Sequence, residues 1–175
     1  DRPPFLPDLR EPVTDSASAF QITWILKGVV DRGTGRRIAS LGRPLAGKTG
    51  TTNENFDTWF VGFSPDLAVG TYVGFDTPRT LGSRQTGSNV AAPIFKSFLA
   101  EAVEGKPPVP FRIPSGVRMV RIDADTGLLP NPGSERVLIE AFRPGSEPTT
   151  TVAAAAAGGV MGGGGPREAF DSGLY

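Results

Sequence analysis

The segment Gly42–Thr49 reads GRPLAGKT, which fits the pattern G-x-x-x-x-G-K-[ST] of phosphate-binding loops. In such a loop a buried strand precedes the glycines and a helix begins at the lysine, so that backbone N–H groups meet the phosphates. Neither element is predicted here, because the preceding residues are polar and the following TGTTNENFD is a poor helix former. The sequence therefore argues against a nucleotide site at this position.

Lys48, Thr49, Gly50 and Thr51 suit a different chemistry if they lie on a strand. Alternate side chains of a strand share a face, so Thr49 and Thr51 would point to one side and Lys48 to the other. Two hydroxyl groups near a cationic amine suit a carboxylate ligand, and Gly50 leaves the backbone open to close approach. The same residues also fit an edge strand with a solvated lysine and two β-favouring threonines.

Apolar periodicity predicts the elements that position this segment. A helix is expected to begin after Asp15 and to end at Gly33-Thr34-Gly35. Its apolar residues, from Phe20 to Val30, cover more than one face and predict deep burial. A short helical turn is expected at residues 36–40.

Three strand-like runs follow, at residues 45–52, 57–64 and 67–75. The short turns between them, including Ser64-Pro65-Asp66, predict an antiparallel meander. The middle run is apolar on both faces, which predicts a central strand covered on both sides, with Trp59 and Phe60 in the core. Asp57 is expected either to brace the loop after the first strand or to belong to its hairpin turn.

The remaining chain divides by composition. A polar loop (77–89) precedes a helix at residues 91–104, with Pro93 in its first turn and Gly105 as its C-cap. We expect a first unit at residues 1–106, opened by a Pro-rich extended segment at 1–14. A Pro-rich connector with two short strands follows at residues 107–144. An Ala- and Gly-rich tail at residues 145–175 is expected to be disordered. The run Asp123–Gly127 departs from the calcium-loop spacing and is interpreted as a β-turn.

The composition excludes several kinds of site. The chain has no His and no Cys, so it cannot supply a Ser-His-Asp triad, a cysteine nucleophile, a disulfide or a thiolate metal site. Its 18 basic side chains balance 18 acidic ones, which argues against a nucleic-acid or anionic-membrane partner. No apolar run reaches the roughly 20 residues of a membrane-spanning helix.

The sequences around the Lys-Thr-Gly segment resemble the transpeptidase domain of class A penicillin-binding proteins. The resemblance is close over residues 20–104 and looser beyond them. It implies an α+β chain that forms part of a penicillin-binding/serine β-lactamase-like fold, with an antiparallel sheet flanked by helices. It rests on LKGVVDRGTGRR (Leu26–Arg37), AGKTGTTNENFDTWFVGFSPDLAVGTYVGFD (Ala46–Asp76), AAPIFKSFL (Ala91–Leu99) and IEAFRPGSEP (Ile139–Pro148).

The resemblance implies roles for the Lys-Thr-Gly segment. Lys48 would support proton movement, and Thr49 and Thr51, with Gly50 between them, would bind the terminal carboxylate of a D-Ala-D-Ala stem peptide or a β-lactam. The Thr51 amide would supply half of the oxyanion hole. Two family motifs are missing, since no Ser is followed by Lys three positions later and S-x-N does not occur. Because both precede K-T-G in the family, the nucleophilic serine is expected upstream of Asp1.

The function expected from the resemblance is that of the C-terminal part of a peptidoglycan D,D-transpeptidase that acts by acyl transfer. No metal or organic cofactor is implied. The expected partners are stem peptides, β-lactams and the upstream part of the same domain. The expected setting is the periplasmic side of the bacterial inner membrane, in a parent with a membrane anchor and a glycosyltransferase domain. The alternative is a truncated scaffold or interaction fragment without catalytic activity.

Overall fold

The computed structural model describes residue 11 and residues 13–158, so most of the Pro-rich segment at 1–14 lies outside the described residues. Within them, helices and antiparallel strands combine in the α+β arrangement that the sequence predicts. A 3₁₀ turn, Asn53–Asn55, follows the first strand, and a π-helical turn, Gly87–Ala91, precedes the second α-helix. The other elements are α1 (Ser16–Arg32), a 3₁₀ helix (Arg36–Leu41), β1 (Ala46–Thr51), β2 (Thr58–Phe63), β3 (Ala68–Val73), α2 (Ala92–Ala102), β4 (Arg118–Asp123), β5 (Val137–Phe142) and α3 (Val152–Gly158).

The first three strands form an antiparallel sheet in the order β1-β2-β3, which confirms the predicted meander. The register pairs Gly50 with Trp59 and Trp59 with Tyr72. The turn between β2 and β3 is closed by the Ser64 N–H, which donates to the Leu67 carbonyl at 2.9 Å. The meander leaves β1 at one edge of this sheet.

One face of the sheet carries the core. Phe60 on β2 is fully buried, and its ring packs against Phe95 of α2 with 4.8 Å between the ring centroids. The helices α1 and α2 lie on this face, with α1 against β1 and α2 against β2 and β3. The buried apolar cluster is Val30, Ile38, Leu45, Phe60, Ala91, Ala92, Phe95 and Leu99.

The opposite face of the sheet is exposed, contrary to the prediction that β2 is covered on both sides. Trp59 is 44% exposed, Val61 51% and Tyr72 50%. Trp59 packs on Tyr72 with 4.7 Å between the ring centroids, so it belongs to a surface patch and not to the core. Apolar residues on both faces make a strand suitable for burial on both sides, but burial also requires a second layer of structure that packs on each face.

This exposed patch predicts self-association of the isolated 175-residue chain, because contiguous apolar surface favours contacts between copies. We expect a sedimentation coefficient that rises with protein concentration. Val61→Thr should reduce this rise, because threonine places a hydroxyl group at the centre of the patch and still favours a β-strand. Ile22→Thr is the matched control, since Ile22 is 58% exposed but lies on α1 away from the patch. A concentration-independent monomer with a cooperative melt would contradict the prediction.

Helix α1 begins and ends as predicted, but it is only partly buried. The Asp15 carboxylate accepts a hydrogen bond from the Ser18 N–H at 2.9 Å, and this bond lowers the pKa of Asp15. At the other end, the Gly33 N–H donates to the Val29 carbonyl at 3.1 Å. Ile25 is 54% exposed, so the expected deep burial is wrong, and only one face of α1 packs on the core.

Helix α2 has Pro93 in its first turn, as predicted. It ends earlier than expected, with Val103 and not Gly105 as the C-cap. Gly105 instead has a φ of +69° in the turn that follows. The left-handed conformation that favours glycine therefore lies beyond the helix end rather than at its cap.

The strands β4 and β5 form a separate antiparallel pair that packs on α1. The Trp24 indole N–H donates to the Ile139 carbonyl at 2.8 Å, and Arg32 pairs with Glu140 at 2.6 Å. The Asp123 carboxylate accepts hydrogen bonds from the backbone N–H groups of the following turn, which confirms the predicted β-turn. Hydroxyl groups of Ser134 and Thr126, followed by these N–H groups, lower the pKa of Asp123.

The expected disorder of residues 145–175 is wrong for the part that the structure describes. Glu147 pairs with Arg118, and Leu129 exchanges backbone hydrogen bonds with Thr150 and Val152 at 3.0 and 3.1 Å. These contacts fix the chain just before the alanine run, which offsets the nucleation cost that made a helix unexpected there. Residues 159–175 lie outside the described residues, and the division into three units stays a prediction.

Candidate active site

The Lys-Thr-Gly segment lies in the middle of β1 and does not form a phosphate-binding loop. Gly42 ends the 3₁₀ helix in a left-handed conformation, with a φ of 66°. The chain then enters β1 at Ala46, so Lys48 lies on a strand and not at the first turn of a helix. The strand–loop–helix arrangement of a phosphate-binding loop is therefore not formed at residues 42–49.

Along β1, the N–H and C=O groups of successive residues point alternately toward β2 and toward the free edge of the sheet. The Thr52 N–H donates to the Asp57 carbonyl at 3.1 Å across the hairpin. Backbone groups alternate in direction along a strand, so the N–H and C=O groups of Thr51 and Thr49 point away from β2. In agreement, the Lys48 ammonium donates to the Thr49 carbonyl at 3.1 Å. The Thr51 amide therefore faces the free edge, where an approaching oxyanion could reach it.

The side chains of β1 divide between the two faces as the sequence predicts. Thr49 and Thr51 share the face that carries Phe60, whereas Lys48 lies on the opposite, exposed face. Thr49 is partly buried and Thr51 is exposed. The structure thus brings two hydroxyl groups and a cationic amine to one edge strand.

Both hydroxyl groups already have partners in the protein. The Thr49 hydroxyl oxygen lies 2.8 Å from the Thr34 hydroxyl oxygen, at the turn after α1. The Thr51 hydroxyl accepts a hydrogen bond from the Gly87 N–H at 3.0 Å. Two segments that are remote in sequence therefore meet at β1.

The hairpin between β1 and β2 is closed by Asp57, for which the sequence left two interpretations open. Its N–H donates to the Thr52 hydroxyl at 2.8 Å, and its carboxylate accepts from the Tyr72 hydroxyl at 2.8 Å. The second contact raises the pKa of Tyr72. Asp57 therefore closes the turn and links it to β3. The tip of this hairpin also contacts the 77–89 loop, since the Leu81 N–H donates to the Asn55 carbonyl at 2.9 Å.

Sequence reasoning did not identify Thr34 or Gly87 as parts of this site. Thr34 lies in the predicted helix stop and in the segment Leu26–Arg37 of the family resemblance, and Gly87 lies in a predicted polar loop, but neither was expected to contact β1. A polar side chain between two glycines, in the turn that follows α1, is the signal that was available for Thr34. Gly87 gave no comparable signal, because its contact with Thr51 spans 36 residues.

Comparison with known proteins identifies the family. A family model described as the penicillin binding protein transpeptidase domain matches residues 6–100, and one described as the penicillin-binding protein 1A C-terminal domain matches residues 113–153. Penicillin-binding protein 1A of Rickettsia bellii is 51% identical over 131 residues, which are 75% of this chain and 16% of the relative. The protein of the same name from Pseudomonas aeruginosa is 41% identical over 140 residues, 79% of this chain and 17% of the relative.

A solved structure agrees with these sequence matches. The crystal structure of penicillin-binding protein 1A from Haemophilus influenzae matches with a TM-score of 0.70 and 36% sequence identity. The match covers 79% of this chain and 22% of that one. The chain thus spans about one sixth of the length of its curated relatives and shares the fold of the corresponding part. Together with the transpeptidase match over residues 6–100, this shows that the chain belongs to the penicillin-binding protein transpeptidase family.

Proposed function

We propose that this chain is the C-terminal part of a peptidoglycan D,D-transpeptidase unit and that β1 forms one wall of its active site. One observation carries the proposal: Thr49 and Thr51 share a face of an edge strand whose outward backbone includes the Thr51 amide, with Lys48 on the same strand. This combination suits a ligand that presents both a carboxylate and a reacting carbonyl group.

The proposed reaction is acyl transfer through a serine that lies outside these 175 residues. The serine oxygen attacks the carbonyl of the penultimate D-Ala, and the terminal D-Ala leaves with a proton on its amine. An amine of a neighbouring stem peptide then takes the acyl group and frees the serine. This chemistry needs neither a metal ion nor an organic cofactor.

Each residue of β1 has a separate proposed role. The hydroxyl groups of Thr49 and Thr51 bind the terminal carboxylate, and Gly50 between them allows close approach. The Thr51 amide stabilises the developing oxyanion. Lys48 supports proton transfer and orients the serine residues of the complete site.

The proposed setting follows from the family. Stem peptides and β-lactams are the ligands, and the upstream part of the same domain completes the site. The parent is a bifunctional enzyme with a glycosyltransferase domain, held at the periplasmic side of the bacterial inner membrane. Among residues 13–158, no helix combines the length and apolar character that a bilayer crossing requires.

Labelling with a fluorescent penicillin tests this proposal. The full-length protein that contains this chain should become covalently labelled, and an excess of unlabelled penicillin should block the label. The isolated 175-residue chain should stay unlabelled, because it contains no S-x-x-K serine and an exposed Lys48 is a poor substitute.

Two outcomes would contradict it. A penicilloyl adduct on the isolated chain, detected by intact mass, would place the nucleophile within these residues. A full-length protein that is folded but takes no label would support the alternative of a scaffold without catalytic activity.

A further inference from the structure

We propose that the Thr34 hydroxyl and the Gly87 amide are positioning groups that direct the hydroxyl protons of Thr49 and Thr51 toward the bound carboxylate. This inference rests on the proposed function and extends it to residues outside the Lys-Thr-Gly segment. Both groups act through a threonine of β1 and need not touch the ligand.

The argument starts from the hydrogen-bonding capacity of a hydroxyl group. A threonine hydroxyl has one proton to donate and two lone pairs that accept, whereas a carboxylate only accepts. A threonine that donates its proton to another protein group therefore has none left for a carboxylate. A carboxylate-binding threonine needs protein partners that donate to it.

The contact between Thr34 and Thr49 can take either direction. Their hydroxyl oxygens lie 2.8 Å apart, and either one can be the donor. When Thr49 donates, its proton is used inside the protein. When Thr34 donates, the Thr49 proton is free for the ligand. A bound carboxylate therefore selects the second arrangement, in which Thr34 is the donor.

The contact between Gly87 and Thr51 has only one possible direction. A backbone N–H can only donate, so the Gly87 amide, 3.0 Å from the Thr51 hydroxyl oxygen, occupies one of that oxygen's lone pairs. The proton of the exposed Thr51 hydroxyl must then point elsewhere. This contact therefore keeps Thr51 in the donor state that a carboxylate requires.

Backbone hydrogen bonds and close packing define the positions of both positioning groups. The N–H groups of Gly33 and Gly35 both donate to the Val29 carbonyl, at 3.1 and 3.0 Å, and fix the turn that carries Thr34. Gly87 is buried against the β1–β2 pair, and an added Cβ would lie 2.4 Å from the Trp59 carbonyl oxygen and 2.6 Å from that of Gly50. Only a glycine fits at this distance, so the amide reaches Thr51 because residue 87 has no side chain.

The deciding experiment measures the second-order rate constant for acylation of the full-length protein by benzylpenicillin. Thr34→Val removes the hydroxyl at constant shape and should slow acylation about 3- to 10-fold, which corresponds to one hydrogen bond. Thr34→Ser keeps the hydroxyl and should recover most of the lost rate. In a Thr49→Val background, Thr34→Val should have no further effect, because its target is gone.

A merely structural role of Thr34 would give a different result. The rate would then fall by the same factor with or without the Thr49 hydroxyl, and Thr34→Ser would not rescue it. Either of these observations would overturn the assignment of Thr34.

A second pair of variants tests Gly87. Gly87→Ala should slow acylation more than about 10-fold, because the Cβ moves the amide away from Thr51. Gly70→Ala on β3 is the matched control, since an added Cβ meets no atom within 4 Å there. Equal rates for these two variants would remove Gly87 from the proposal. If Gly87→Ala fails to fold, hydrogen exchange of the Gly87 amide replaces it. This amide should exchange faster in Thr51→Val than in the wild type, and equal exchange rates would remove Gly87 from the proposal.

The result for Thr49→Val separates this inference from the proposed function. If Thr49→Val slows acylation but Thr34→Val does not, the positioning role of Thr34 fails and the carboxylate site stands. If Thr49→Val leaves the rate unchanged, the carboxylate site itself fails.

Discussion

Replacing Lys48 with alanine in the full-length protein should lower the second-order rate constant for β-lactam acylation more than any other single change in β1. The loss removes a positive charge at the edge where the ligand binds and a group that supports proton transfer. Positioned acid–base groups contribute about 100- to 10,000-fold to a rate, and we expect the loss to fall in that range. Stopped-flow acylation with a chromogenic cephalosporin measures it.

Lys106→Ala is the matched control for this change. The Lys106 ammonium donates to the Ala102 carbonyl at 3.0 Å, much as Lys48 donates to the Thr49 carbonyl at 3.1 Å. The two variants therefore lose the same kind of local contact, but only one of them changes β1. A Lys48→Ala protein that is acylated at the rate of Lys106→Ala would exclude Lys48 from the site.

The second large effect concerns the two threonines together. A hydrogen bond to a charged group contributes about 1.5–3 kcal/mol, so Thr49→Val and Thr51→Val should each slow acylation roughly 10- to 100-fold. The double variant should lose less than the product of the two factors, because both hydroxyl groups bind one carboxylate. The Thr51 amide belongs to the backbone and should survive both changes.

Serine variants control for effects on folding. Thr51→Val also leaves the buried Gly87 N–H without its acceptor, which costs stability independently of any ligand. Thr49→Ser and Thr51→Ser keep the hydroxyl groups and should retain most of the rate. Full additivity of the two valine changes would show that the hydroxyl groups act on separate targets.

Much of the fold follows from local signals in the sequence. Asp15 as a helix cap, Ser64-Pro65-Asp66 as a tight turn and the meander of three strands are all decided by neighbouring residues. The division of Thr49 and Lys48 between two faces follows from the period of a strand alone.

The structural predictions that are wrong concern features that depend on contacts between distant parts of the chain. The exposed Trp59 and Ile25 are apolar residues on elements that the described residues cover on one side only. The helix α3 depends on contacts of Glu147 and Leu129 that lie outside the alanine run. No local pattern contains such contacts, so composition favoured disorder there.

In the candidate site, too, local patterns predict some residues, and contacts between distant segments bring in the others. Lys48, Thr49 and Thr51 lie together on one strand and could be selected by spacing. Thr34 and Gly87 reach this strand from a helix terminus and a π-helical turn, through contacts that only the folded chain creates. The ligand-binding residues were thus accessible to sequence reasoning, and the groups that orient them were not.

The central claim is that Thr49 and Thr51 bind a carboxylate, and its most direct test compares benzylpenicillin with its methyl ester. The measured quantity is the ratio of their acylation rate constants for the full-length protein and for its Thr49→Val/Thr51→Val variant. We predict that the wild type strongly prefers the free acid and that the variant loses most of this preference, because the two hydroxyl groups are the donors proposed to bind the carboxylate directly. A preference that is equally large in both proteins would contradict the account.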